Sequence, residues 1–254
     1  MWEALSMPFV YLSPSSQEFN PYVGGGNEEL YMNLIADQLE RWFRACGISF
    51  VRNTTDMTAA QSIEASNAGQ FSLHLALHSN AAPEALSGVL QGTDVYYSPS
   101  SAHSRRAAEL IVARLRTIYP QPEKVRALPT TSIGEVAKVA APAVLVELAY
   151  HDNPEDAQWI RDNVPEIAKA LAEAVAQYFS LPFLSLQSPQ VGYVDLNWGS
   201  LNVRAAPDTS SEVVVSLQDG ARLTVWNRYQ NWFVVEWNGM SGFALQQFIT
   251  LENE

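Results

Sequence analysis

The chain has 254 residues, about half of them apolar, with seven Trp, ten Tyr and ten Phe, which is enough for two packed cores and argues against long disorder. A formal net charge of -12 argues against a nucleic-acid partner, because that binding depends on Lys and Arg neutralising phosphates, and no apolar run approaches the ~18 residues of a membrane span. Cys46 is the single cysteine, so an internal disulfide and a multi-cysteine metal site are both excluded, and any metal must sit on His and carboxylate ligands.

Met1 to Met7 has neither a basic n-region nor an apolar h-region. The expectation is cytoplasmic synthesis without a signal peptide, and for an external substrate, release by lysis or a non-standard route. Phe9 to Leu12 then predicts a first strand, followed by the turn Ser13-Pro-Ser-Ser-Gln17 and a long loop through Asn20-Pro21 and Gly24 to Gly26. Helical spacing of Leu30, Leu34, Ile35, Leu39, Trp42 and Phe43 predicts a helix from Glu28 to Cys46, stopped by Gly47. Strands follow at Ile48 to Val51 and Ser72 to Leu77, with a helix from Thr58 to Asn67 between them. Further on come a strand at Thr93 to Tyr97, a helix over Ala102 to Ile118, a buried strand at Ala143 to Leu148 and one long helix from Glu155 to Phe179.

This alternation predicts an α/β fold with a mainly parallel, helix-flanked sheet, whose site lies beyond the C-terminal strand ends. Between Ser180 and Gln190 two prolines and no helical pattern mark a linker, placed at 184–190, so residues 7–183 are expected to form one domain and 191–254 another. In the second, short alternating stretches between Gly, Asn and Asp turns predict a small all-β barrel containing Trp198, Trp226, Trp232 and Trp237. At least two of those tryptophans must be core in so small a unit.

Three polar residues stand at element ends of the α/β part: Glu28 opening the first helix, His78 ending the third strand, and Glu147 closing the apolar run Ala143 to Val146. A carboxylate in that last position needs a cation, a donor or access to water, since unpaired burial costs several kcal/mol. His74 lies roughly 13 Å from His78 along an extended strand, so the two cannot share an ion, and His74 is read as a buried structural histidine. Asn80 and Asn153 suit ligand or substrate support, although Asn at a strand exit also serves the backbone. Arg52, Arg105 and Arg106 read as solvated charges and His103 as inert.

The order of Glu28 before Ile35-Ala36, then Leu77-His-Ser-Asn-Ala81, then Pro142-Ala-Val-Leu-Val-Glu147 with Asn153-Pro-Glu-Asp156, resembles the zinc-dependent N-acetylmuramoyl-L-alanine amidases over Phe9 to about Phe183. The resemblance implies zinc held by Glu28 and His78, and Glu147 as the catalytic acid or base. It also implies peptidoglycan as the substrate, cut at the amide between N-acetylmuramic acid and the L-alanine of the stem peptide. One departure stands out, because that family carries a first zinc-binding histidine in Asp-Pro-Gly-His-Gly-Gly where this chain has Ser13 to Gln17. His151 in Tyr150-His-Asp-Asn153 is the favoured replacement and Gln17 the other, while a degenerate, metal-free site on a non-catalytic wall-binding protein is the alternative reading. The tail, with Leu201-Asn-Val-Arg-Ala-Ala-Pro207 and Gly239-Met-Ser-Gly-Phe243, resembles bacterial SH3-type domains, which implies a wall-binding or bracing role. Together these features suggest a lytic, endolysin-like enzyme, with Asn80 contacting substrate.

Overall fold

The computed structural model describes residues 7–252, so the opening residues on which the leader expectation rests lie outside the described residues, apart from Met7. Its first sheet runs β2-β1-β3-β6-β4-β5 and contains β1 (Phe9–Pro14), β2 (Ser49–Arg52), β3 (Leu73–Asn80), β4 (Thr93–Tyr97), β5 (Val125–Pro129) and β6 (Ala143–Tyr150). Neighbours pair in parallel except β4 against β6, so β4 and β5 run opposite to the other four strands.

The two faces of this sheet differ, and the strand sequences explain why. Val10 and Leu12 of β1, Leu73, Leu75 and Leu77 of β3, and Val144 and Val146 of β6 alternate onto one face and bury themselves in the main apolar core. That core is closed by α1 (Glu28–Ala45) and α3 (Ala102–Leu115), which pack on the sheet, and by α6 (Val164–Tyr178), which packs against both. The other face carries Tyr11, His74, Ala76, His78, Leu145 and Glu147. It is covered only in part, by α2 (Ala59–Ala68) and the one-turn α4 (Gly134–Ala137), with Val136 over Ala76 and Leu145.

Local chemistry fixes the element ends. The Asn27 side chain caps α1 by accepting from the Leu30 N–H, and Glu28 and Glu29 sit in the first turn, where the helix dipole favours acids. Thr58 and Gln61 form a capping box on α2. Gly47 at φ +73 ends α1 in the left-handed region. The expected single helix from Glu155 to Phe179 is two: α5 (Pro154–Asp162) and α6, broken at Asn163. Pro165 lies at the start of α6, where its missing N–H costs nothing, whereas inside a continuous helix it would remove a hydrogen bond. The short β5 and α4 are not foreseen by periodicity, since neither is long enough to display any.

The tail forms an antiparallel seven-stranded sheet, ordered β13-β7-β10-β11-β12-β8-β9. Its strands are β7 (Gln190–Val194), β8 (Leu201–Arg204), β9 (Val213–Leu217), β10 (Arg222–Tyr229), β11 (Trp232–Trp237), β12 (Met240–Leu245) and β13 (Ile249–Leu251). Val203, Leu223, Val225, Val235 and Ala244 fill its own core. Trp232, Val234 and Phe243 instead join the main core of the α/β part, so the barrel is docked on it. Polar contacts seal the junction: Arg44 of α1 pairs with Glu236 at 3.1 Å, and the Ser241 N–H donates to Ser49 Oγ at 2.8 Å on the edge strand β2. No helix among the described residues is long and apolar enough to cross a membrane.

Candidate active site

Strand register places the polar residues in one row. His78 of β3 stands beside Glu147 of β6, Glu147 beside Asp94 of β4, and Asp94 beside Arg126 of β5. Residues paired across neighbouring strands share a sheet face, so the row lies on the sparsely covered side, near the ends of β3 and β6. The site is thus at the C-terminal edge of the parallel strands, as sheets of this kind lead one to expect.

His78 is the centre of this row. Its Nδ1 is 2.9 Å from Glu28 Oε1 and its Nε2 is 3.0 Å from Glu135 Oε2. Asn20 donates to the other Glu28 oxygen at 2.7 Å, and the Ser79 N–H reaches Oε1 at 3.4 Å. Burial opposes a charge on the His78 ring, yet the hydrogen bonds and charges of Glu135 and Glu28 outweigh it and raise its pKa to about 10. Burial likewise pushes Glu28 up, but His78, Asn20 and Ser15 more than compensate and hold its carboxyl below the ordinary value.

Glu135 is the residue that sequence reasoning missed. It comes from α4, is 4% exposed, and accepts from Ser13 Oγ at 2.6 Å while facing His74 Nε2 at 3.3 Å. His74 in turn meets Ser66 Oγ through Nδ1 at 3.0 Å. Against the effect of burial, the two histidines hold Glu135 down at about 2. His74 is fully buried as expected, but it reaches His78 indirectly, through this shared carboxylate. The available signal was an acid directly before apolar Val136, in a segment leading into β6.

Glu147 lies beside this cluster. Burial raises its pKa to about 7, with His78 pulling it down and Glu28, Asp94 and Glu135 pushing it up. Its Oε2 is buried and has no hydrogen-bond partner among the described residues. Such an oxygen is costly to leave alone and is satisfied by a cation or a substrate donor.

The other expected site residues are placed differently. His151 does not join Glu28 and His78: its Nδ1 lies 3.0 Å from Ser79 Oγ and 3.1 Å from Ser79 O, and its ring stacks on Tyr22 at 5.3 Å. The cause is local, because the β3/β6 register shifts after His78 and Ala149 takes φ +56, which turns the chain before His151 is reached. Gln17 is the residue brought in, with its Nε2 3.2 Å from His78 Nδ1 and its Oε1 accepting from Asn20 at 3.2 Å. Asn80 closes its own turn by accepting from the Ala81 N–H at 2.9 Å, and Asn153 caps α5. Arg52, read as solvated, is instead paired with Asp37 and Glu40. His103 sits in the first turn of α3.

Among the described residues no third His, Cys, Asp or Glu completes a metal-holding group. Glu28 Oε1 and His78 Nδ1 fit one divalent cation once the ring proton is displaced, the Gln17 amide adds its oxygen on turning over from Asn20, and the unpartnered Glu147 oxygen marks the side on which positive charge is wanting. The second carboxylate on His78 Nε2 is the arrangement that orients a metal-binding imidazole.

Residues 19–177 match the family model of N-acetylmuramoyl-L-alanine amidase, more than half of the chain, and residues 199–250 match that of the bacterial SH3 domain. The chain matches no curated protein sequence. Among solved structures, the fold is similar to the N-acetylmuramoyl-L-alanine amidase AmiC2 of Nostoc punctiforme, at 17% identity and a TM-score of 0.58 over 68% of this chain and 97% of that one. It is also similar to the catalytic domain of the CD27L endolysin targeting Clostridia Difficile, at 22% identity and a TM-score of 0.54 over 67% and 97%. A third similar fold is the amidase Ami1 of Mycobacterium smegmatis, at 15% identity and a TM-score of 0.59 over 70% and 99%. The chain therefore belongs to the N-acetylmuramoyl-L-alanine amidase family, which cuts peptidoglycan between N-acetylmuramic acid and L-alanine, and it carries a bacterial SH3 domain behind its amidase fold.

Proposed function

We infer that this amidase works with zinc, held by His78 and Glu28 and completed by the Gln17 amide oxygen once that amide turns from Asn20 toward the site. The observation that carries the reading is the buried, unpartnered Glu147 oxygen beside the Glu28 and His78 pair. When bound, zinc supplies the Lewis acidity that polarises a scissile carbonyl and activates water at neutral pH. Glu135 holds Nε2 of His78 and so leaves Nδ1 to face the Glu28 side. Glu147, poised near pH 7, takes a proton from water and returns it to the departing alanine nitrogen. Its neighbours set that poise, since burial and three surrounding carboxylates favour the neutral form that must deliver the proton.

The barrel is suited to holding the enzyme on the wall. Trp198 is 88% exposed, and it lines a groove with Arg204, Trp232 and Gln247. The route to the wall is proposed to be release on lysis after cytoplasmic synthesis.

Elemental analysis of the purified protein tests the metal reading. About one zinc per chain, lost in H78A together with the release of new alanine amino termini from peptidoglycan, is the expected result. A protein that takes up no zinc even when supplemented, and releases no amino termini, leaves a non-catalytic wall binder.

A further inference from the structure

The row that begins at His78 does not stop at the catalytic carboxylate. Asp94 is 4% exposed and grips Arg126 on one edge, with Arg126 Nε donating to Oδ1 at 2.9 Å and Nη2 to Oδ2 at 3.0 Å. No described residue takes Nη1, and the Arg126 side chain is 54% exposed. A buried carboxylate thus fixes a guanidinium whose second edge faces outward, on the same sheet face as Glu147 and two strands away. Strands lie about 4.8 Å apart, so Arg126 stands roughly 10 Å from Glu147, the length of two or three residues of extended peptide. Solvent-facing arginines are ordinarily mobile. This one is anchored, and planar forks held in this way suit carboxylates.

We propose that Arg126 is an anion-binding subsite that takes a carboxylate of the stem peptide two to three residues beyond the scissile amide, with Asp94 as its positioning residue. The substrate peptide then crosses the open sheet face from β6 over β4 to β5. Its acidic character is answered by a cation in a protein whose net charge would otherwise repel it. This subsite rests on the amidase reading for its substrate, while its geometry stands on the row itself.

The test uses two soluble muropeptides, identical except that the carboxylates of the second and third stem residues are free in one and carboxamides in the other. The zinc-loaded full chain is expected to prefer the free acid by about tenfold to a hundredfold in kcat/KM, carried by KM. R126Q brings the two substrates level, R126K retains part of the preference, and D94N raises KM for the free acid more than for the carboxamide, so that the preference shrinks, while any change in kcat, from the carboxylate lost beside Glu147, falls on both substrates alike. Equal cleavage of both peptides by the wild type, or a preference that survives R126Q, overturns the proposal. Should the wild type cleave neither peptide, the amidase reading fails, and calorimetric binding of the same pair to wild type and R126Q decides the subsite alone. A free-acid preference lost in R126Q upholds it, and equal binding overturns it.

Discussion

Glu147 is asked to do two incompatible things, and its environment records the compromise. A carboxylate that is to carry a proton near neutrality must be buried, and burial makes its ionised form expensive in the folded state. Its folded pKa of about 7 lies above the ordinary 4.5, so the stabilisation from the neutral carboxyl is complete below about pH 4.5 and is lost as pH rises through 7. Metal-free Glu147→Gln is therefore expected to match the wild type in stability at pH 4 and to exceed it by up to about 3 kcal/mol at pH 8, while losing about 10²- to 10⁴-fold in turnover. Thermal melts across this pH range and a digestion assay read both effects. Glu135 behaves in the opposite way. Glu135→Ala strips two buried histidines and Ser13 of their common acceptor, with an expected loss of about 3 kcal/mol. The gentler Glu135→Gln should lower zinc affinity about tenfold to a hundredfold in a direct titration, because His78 loses the group that fixes its ring.

At the scale of elements, the long apolar runs were readable and the short connectors were not. β1, β3, β6, α1 and α3 announce themselves by alternation or helical spacing, and with them Glu28, His78 and Glu147 come to one sheet edge. Glu135 on the one-turn α4 and Arg126 on β5 sit on pieces too brief for a period, while Gln17, in an irregular loop, was legible only as the alternative to His151. His151 misled because counting residues past Glu147 assumes a regular exit, whereas the bulge at Ala149 turns the chain. Helix α1 makes its own test. Gly47 ends it at φ +73, and a Cβ there would meet the Phe243 ring of β12 at 2.8 Å. Gly47→Ala is expected to cost about 1–2 kcal/mol from backbone strain, with more from the clash, read as a lowered denaturation midpoint.

For the whole molecule, the barrel is more than an appended binding unit. Trp232, Val234 and Phe243 sit within the same apolar core as α1 and α6, and Arg44 is shared between Glu40 of its own helix and Glu236 of the barrel. The two parts are expected to unfold in one transition. Trp232→Ala, which removes a large buried side chain at the junction, should lower stability by about 3–5 kcal/mol and separate that transition into two in calorimetry.

Docking also settles the fate of β2. An outermost strand offers unpaired backbone groups to any passing strand. Here the barrel covers its start, where Ser49 is bonded to Ser241, and Arg52, held by Asp37 and Glu40, places charge at its far end. Between them Val51 is 44% exposed. An amidase part produced without the barrel would present this margin uncovered, and it is expected to self-associate where the whole chain does not, read as a larger species in size-exclusion chromatography.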